Sequence, residues 1–180
     1  MRIIREQSAG LIIDIQERLY PFIHENEQLL KNTAILIKGL QAVGIPILVT
    51  QQYTRGLGET VQPLKEAIGT DYFIEKMAFS CCDDSGFMEE LRKLGSRYVI
   101  VAGIESHVCV LQTTIDLLEN DFLPVVVEDC ISSRKHNDKM IAVARMRSEG
   151  AIITSYESLL FEVLRYSGTP EFKEISKLVK

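Results

Sequence analysis

Short apolar runs alternating with longer amphipathic segments constrain this chain more than any other feature. Ala9 to Ile15, Ile45 to Thr50, Asp71 to Lys76, Arg97 to Gly103, Leu123 to Val127 and Ala151 to Thr154 read as strands. Several are apolar on both faces, as strands buried inside a parallel sheet are. Between them, Glu25 to Ala42, Val61 to Ile68, Ser85 to Leu94, Ser106 to Asn120 and Asn137 to Ser148 carry helical spacing. Gly44, Gly95 and Gly150 each follow a helix and precede a strand, where a C-cap glycine is expected. The alternation predicts a three-layer α/β/α domain with a mostly parallel, doubly wound, Rossmann-like sheet. Ser155 to Tyr166 and Glu171 to Val179 read as terminal helices packed outside it. They contain Leu159, Leu160, Phe161, Val163 and Leu164, more apolar surface than a peripheral helix usually leaves in water, so a homo-oligomer is expected.

Composition narrows the class of partner. The 180 residues fit one domain, 1–180, and with 46% of them hydrophobic a sizeable core is available. No repeat, low-complexity tract or Pro/Gly-rich linker divides the chain. No apolar run approaches the ~20 residues of a membrane span, and Met1 to Gln7 has no signal-type apolar stretch. A formal net charge of −5 without any basic cluster argues against nucleic acid or an anionic membrane as partner. Four cysteines, with Cys81 and Cys82 adjacent, make a poor disulfide framework, so a reducing, cytoplasmic setting is expected.

In a parallel sheet, ligands bind beyond the carboxyl ends of the strands, and three reactive residues fall there. The first run ends Ile13-Asp14-Ile15-Gln16, the third ends Glu75-Lys76, and the fourth leads through Gly103-Ile104-Glu105-Ser106-His107-Val108 to Cys109. A thiol where a helix begins lies among unpaired N–H groups whose dipole favours the thiolate, and those groups can also hold an oxyanion. A nearby carboxylate can take the thiol proton, and an ammonium supports the thiolate. Each residue also has an ordinary role: Asp14 as a cap, Lys76 as a surface lysine, Cys109 as a packed thiol. Their coincidence at three strand ends is what points to nucleophilic catalysis.

Three blocks, Leu11 to Gln16, Glu75 to Ser80 and Ala102 to Val110, resemble the isochorismatase-like cysteine hydrolases, a superfamily that includes nicotinamidases and N-carbamoylsarcosine amidases. The isochorismatase domain-containing branch is the most similar. Thr50-Gln51-Gln52-Tyr53, Gly56 to Val61, Ser132-Ser133-Arg134 and Pro170 to Ile175 carry that finer likeness. The resemblance spans essentially the whole chain. It implies the isochorismatase-like hydrolase fold and a triad with Asp14 as base, Cys109 as nucleophile and Lys76 as supporting cation. It also implies a cis peptide between Ile104 and Glu105, with the backbone N–H groups of Glu105 and Cys109 as oxyanion hole.

Two departures shape the expected activity. Members that cleave isochorismate act on a vinyl ether without a nucleophilic thiol, so Cys109 argues against that reaction. Metal-dependent nicotinamidases carry histidines after the second strand, where this chain reads Gln51-Gln52-Tyr53-Thr54-Arg55-Gly56-Leu57-Gly58. No metal site is expected. Hydrolysis of a small amide, carbamoyl or related acyl compound through a Cys109 thioester is the leading reading, and such a thioester needs only water, hence no cofactor. Gln16, Gln51, Gln52, Tyr53, Phe79 and His107 are candidates for the substrate pocket. Two rivals use the same residues: a non-catalytic scaffold that binds a small molecule or another protein, and a redox module pairing Cys109 with Cys81 or Cys82. Cys130 has no assigned role.

Overall fold

The computed structural model describes residues 1–180. One sheet of parallel strands contains β1 (Ser8–Ile13), β2 (Ile47–Gln52), β3 (Ile74–Lys76), β4 (Tyr98–Ile104), β5 (Leu123–Ser132) and β6 (Ile152–Thr154). They lie in the order β3-β2-β1-β4-β5-β6. The chain builds outward from β1 to one edge, returns to the other flank of β1 with β4, and builds outward again. Helices α1 (Asn26–Ala42), α2 (Thr54–Leu57), α3 (Gln62–Ile68), α4 (Ser85–Lys93), α5 (Leu111–Glu119), α6 (His136–Glu149), α7 (Tyr156–Leu164) and α8 (Pro170–Leu178) connect and follow the strands.

Side-chain alternation in the central strands divides the core in two. Ile12 of β1 and Ile100 and Ala102 of β4 face one side, where Leu36, Ile37 and Leu40 of α1 meet Leu64 of α3, Leu160 of α7 and Ile175 of α8. Leu11 and Ile13 of β1 and Val99 and Val101 of β4 face the other, against Phe87 of α4, Leu117 of α5 and Met146 of α6. Every residue of β1 and β4 is buried, as expected of strands covered on both faces. Full burial of a single Leu or Ile here stabilises the domain by about 1.5–3 kcal/mol. At Gly103 the two central strands approach so closely that a Cβ would stand 2.3 Å from the Ile13 carbonyl oxygen, and φ is +140°. Only glycine fits, and it fixes the last step of β4 before the turn that carries Cys109.

Several boundaries differ from the sequence pattern. β1 stops at Ile13 because Asp14 turns into the left-handed region (φ 52°), while Gln16 forms a separate antiparallel bridge with Thr60. β3 keeps only the three residues that β2 can pair, Ile74, Glu75 and Lys76. β5 runs on to Ser132 across a register shift in which Val126 pairs with Val101 but Ile131 pairs with Gly103. The expected helix from Ser106 begins instead as a wide π turn, Ser106–Val110, before α5. The terminal segment also departs from expectation. Leu159, Leu160, Val163 and Leu164 fold back into the chain's own core beneath α1, so they offer no apolar face to a neighbouring subunit.

Candidate active site

β1 and β4 are neighbours whose helices leave on opposite faces, which opens a crevice at their carboxyl ends, the switch point of a doubly wound sheet. Four chain segments deliver side chains there. Asp14 leaves β1, Gln52 ends β2, Lys76 ends β3 and Cys109 sits in the π turn after β4. Pairing of Gln52 with Lys76 in the β2–β3 ladder sets those two side by side.

Lys76 and Asp14 form a buried ion pair, with Nζ 2.6 Å from Oδ2 and both side chains at most 1% exposed. Such a pair holds only if the remaining donors and acceptors are met. Here they are. Thr50 donates its hydroxyl to Asp14 Oδ1 at 2.7 Å. The Lys76 ammonium also donates to the carbonyls of Ala78 and Phe79, both at 3.1 Å, with Gln52 Oε1 further off at 3.4 Å. Burial pulls the Lys76 pKa down, but the charge of Asp14, with smaller contributions from Cys81 and Cys109, outweighs it, so the ammonium is held above its ordinary value.

The Cys109 thiol donates to Gln52 Oε1 at 3.1 Å and also lies against the Asp14 carboxylate. Burial and then the negative charge of Asp14 push its pKa up, and Lys76 opposes them only in part. A helix start favours the thiolate, but here burial and the charge of Asp14 favour the thiol. Burial is the largest cause and the Asp14 carboxylate adds to it, while a π turn stands where a regular helix N-terminus was expected. A favoured thiol with a carboxylate beside it suits general-base catalysis more than a standing thiolate.

A cavity of about 190 Å³ reaches Cys109. Leu19, Leu57, Phe79 and Val108 supply its apolar wall, and Gln52, Glu105 and Cys109 its polar part. The Ile104–Glu105 peptide is cis. The Glu105 carboxylate is held by Arg134, which donates its backbone N–H at 3.0 Å and Nε at 3.0 and 3.2 Å. A larger cavity of about 360 Å³ lies beside Gln51, Glu59, Lys65 and Glu75, but it reaches none of the three reactive groups.

Of the pocket candidates from sequence, Gln52 and Phe79 line the cavity at Cys109, and the others do not. Gln16 is fully buried and serves as a clamp: Oε1 accepts the Gln52 N–H at 2.8 Å, and Nε2 donates to the Gln52 and Gly58 carbonyls at 3.0 and 2.6 Å. Gln51 points away and donates to Thr60 Oγ1 at 2.9 Å. Tyr53 takes a left-handed conformation that turns it out to be 44% exposed. His107 Nδ1 lies 2.9 Å from Ser133 Oγ, a contact that binds it to the end of β5. Sequence reasoning missed Thr50, Leu19 and Leu57. Thr50 reads as an ordinary strand residue, Leu19 stands in a turn, and Leu57 ends the one-turn helix α2, too short to show a periodic pattern.

A doubly wound parallel sheet flanked by helices, with a thiol, a carboxylate and an ammonium at its switch point, defines the class. The isochorismatase domain model matches residues 8–158, and the chain belongs to the isochorismatase family. It is 36% identical to mouse isochorismatase domain-containing protein 2A, covering 99% of this chain and 85% of that protein. The solved structure of MAR1 ribonuclease from Caenorhabditis elegans is 38% identical and superposes with a TM-score of 0.93 over 99% of this chain and 92% of that one. The Escherichia coli YcaC gene product, an octameric hydrolase of unknown specificity, shares the fold at a TM-score of 0.92 and 21% identity, over 99% of this chain and 90% of that one.

Proposed function

We propose that this family member hydrolyses a small amide, carbamoyl or related acyl compound through a thioester on Cys109. The observation that carries the reading is the buried, fully hydrogen-bonded Asp14–Lys76–Gln52–Cys109 network opening onto a cavity of small-molecule size. Asp14 takes the thiol proton as sulfur attacks the carbonyl carbon. The backbone N–H groups of Glu105 and Cys109 hold the oxyanion. Asp14 then returns the proton to the leaving nitrogen, so that an amine or ammonia departs and the thioester remains. Water, deprotonated by Asp14, cleaves the thioester to release the carboxylic acid and restore the thiol. Lys76 balances the charge of Asp14 and holds its carboxylate in place throughout, and neither metal nor cofactor takes part.

Ammonia release from a panel of small amides, read for wild type against Cys109→Ala, tests this. Loss of release in the variant supports it, and equal release refutes it. A ribonuclease role, named for the nematode relative, fits less well, because the ammonium at this site is buried and matched by Asp14. A binding scaffold or a dithiol redox module needs no proton acceptor beside Cys109. We also propose a cytoplasmic homo-oligomer. The exposed Phe22, Met77 and Phe79, all beyond strand carboxyl ends, are the apolar surface for that contact, in place of α7. Light scattering at the mass of one 20.4 kDa chain across a wide concentration range would refute the assembly.

A further inference from the structure

The charges around the cavity are matched before any ligand enters. Lys76 has an acceptor for each ammonium proton in Asp14, Ala78 and Phe79. Glu105 has Arg134, whose backbone N–H and Nε both point at its carboxylate. The rest of the wall is Leu19, Leu57, Phe79 and Val108, and the side-chain amide of Gln52 is the neutral polar group beside the sulfur. A carboxylate or phosphate entering this space would lose its water without gaining a cation, and an unpaired charge in apolar surroundings is strongly disfavoured. Volume sets a second limit. An apolar cavity of about 150 Å³ holds benzene, so one of about 190 Å³ takes an acyl group of similar or slightly larger size.

We infer that the site selects uncharged carboxamides with a compact apolar acyl group, and rejects anionic compounds of equal size. The inference rests on the hydrolase reading for its chemistry but concerns which molecules the cavity admits to the sulfur. Gln52 Oε1, 3.1 Å from Sγ, is the acceptor positioned for the carboxamide N–H once the thiol proton has moved.

Iodoacetamide and iodoacetate test this on the intact protein, since they differ by an amide against a carboxylate. Each alkylates a thiol with formation of the S–C bond, loss of iodide and release of the thiol proton. Their rate ratio at Cys109, followed by peptide mass spectrometry and divided by the ratio for free glutathione, is expected to favour iodoacetamide by about 100-fold. Leu57→Lys, which adds a cation to the half-buried wall, should bring that value close to one, and Leu19→Lys provides a second variant should the first misfold. In turnover, 4-methylpentanamide should release ammonia and succinamate, its anionic counterpart of equal length, should not. A corrected ratio near one in wild type, labelling by neither reagent, or faster turnover of succinamate would overturn the inference. Selective alkylation without turnover of any amide would instead sink the hydrolase reading and leave the selectivity standing.

Discussion

Cys81 and Cys109 belong to the same hydrophobic cluster and flank the same buried ion pair. Burial is the largest influence on each, Asp14 raises both pKa values and Lys76 lowers both. Cys81 is pushed up to about 12 and Cys109 is also raised. Their surroundings otherwise differ. Cys81 is fully buried against Thr50 Oγ1 at 3.8 Å, and its backbone N–H is fixed by Thr113 Oγ1 at 2.9 Å. Cys109 lines a cavity, sits in a π turn and donates its proton to a side-chain amide. A perturbed thiol beside a charged pair is therefore not sufficient for a nucleophile. Access and the backbone around the sulfur distinguish the two.

The largest expected contrast is in activity. Cys109→Ala should abolish acyl transfer, a loss of about 10³-fold or more, as when the nucleophile of a catalytic unit is removed. Cys81→Ala should stay within about tenfold of wild type, its main effect being a small cavity in the core. Initial rates on one amide for both variants check this, and comparable losses would erase the distinction between the thiols.

Next in size is the stability of the shared ion pair. Lys76→Met leaves Asp14 buried without a counter-charge and should destabilise the fold by about 3–5 kcal/mol. Adding Asp14→Asn removes the stranded charge, so the double variant should be more stable than Lys76→Met alone. Urea denaturation of the two variants and wild type measures this.

A smaller effect separates reactivity from turnover. Asp14 holds the Cys109 proton on, so Asp14→Asn should lower the thiol pKa and accelerate alkylation by iodoacetamide at pH 7, while turnover is lost. Lys76 opposes Asp14, so Lys76→Met should slow alkylation. Each pKa unit of change corresponds to about tenfold in thiolate population. Alkylation that slows in Asp14→Asn would contradict the charge balance described here.

The smallest effect is on alkaline stability. Cys81 and Cys109 have folded pKa values above the ordinary 9.0, so the unfolded chain releases these protons first as pH rises. Stability is therefore at its full value below about pH 9 and falls above it, by about 1.4 kcal/mol per pH unit for each such thiol. Cys81→Ala should remove one proton's worth of that slope between pH 9 and 11 while leaving the Cys109 contribution in place. Denaturant midpoints across that range would reveal it.

The features legible in the sequence are those tied to strand ends. Asp14, Lys76 and Cys109 each end or follow an apolar run, and a parallel sheet gathers such positions at one edge whatever the details of the loops. Gly103 precedes the active turn in the sequence, though the reason for it, the nearby Ile13 carbonyl, is a contact between strands remote in the chain. Residues one or two places from a strand end were harder to place. Tyr53 and His107 are pocket candidates by position, but the left-handed backbone of Tyr53 turns it outward and His107 meets Ser133, the residue after β5. Gln51 and Gln52 alternate across the strand, so only one of them can face Cys109. The apolar stripe of α7 was visible, but its partner was not, because a hydrophobic face looks the same whether another subunit or α1 covers it.

Rapid quenching followed by peptide mass spectrometry tests the nucleophile and its base together. Wild type and Asp14→Asn are mixed with 4-methylpentanamide, quenched in acid before the second step completes, and digested. The acyl mass is expected on the Cys109 peptide of the wild type, with none on the Cys81 peptide and at most a trace in Asp14→Asn. An acyl group on any other residue, or one forming on Cys109 at an undiminished rate in Asp14→Asn, would contradict this mechanism.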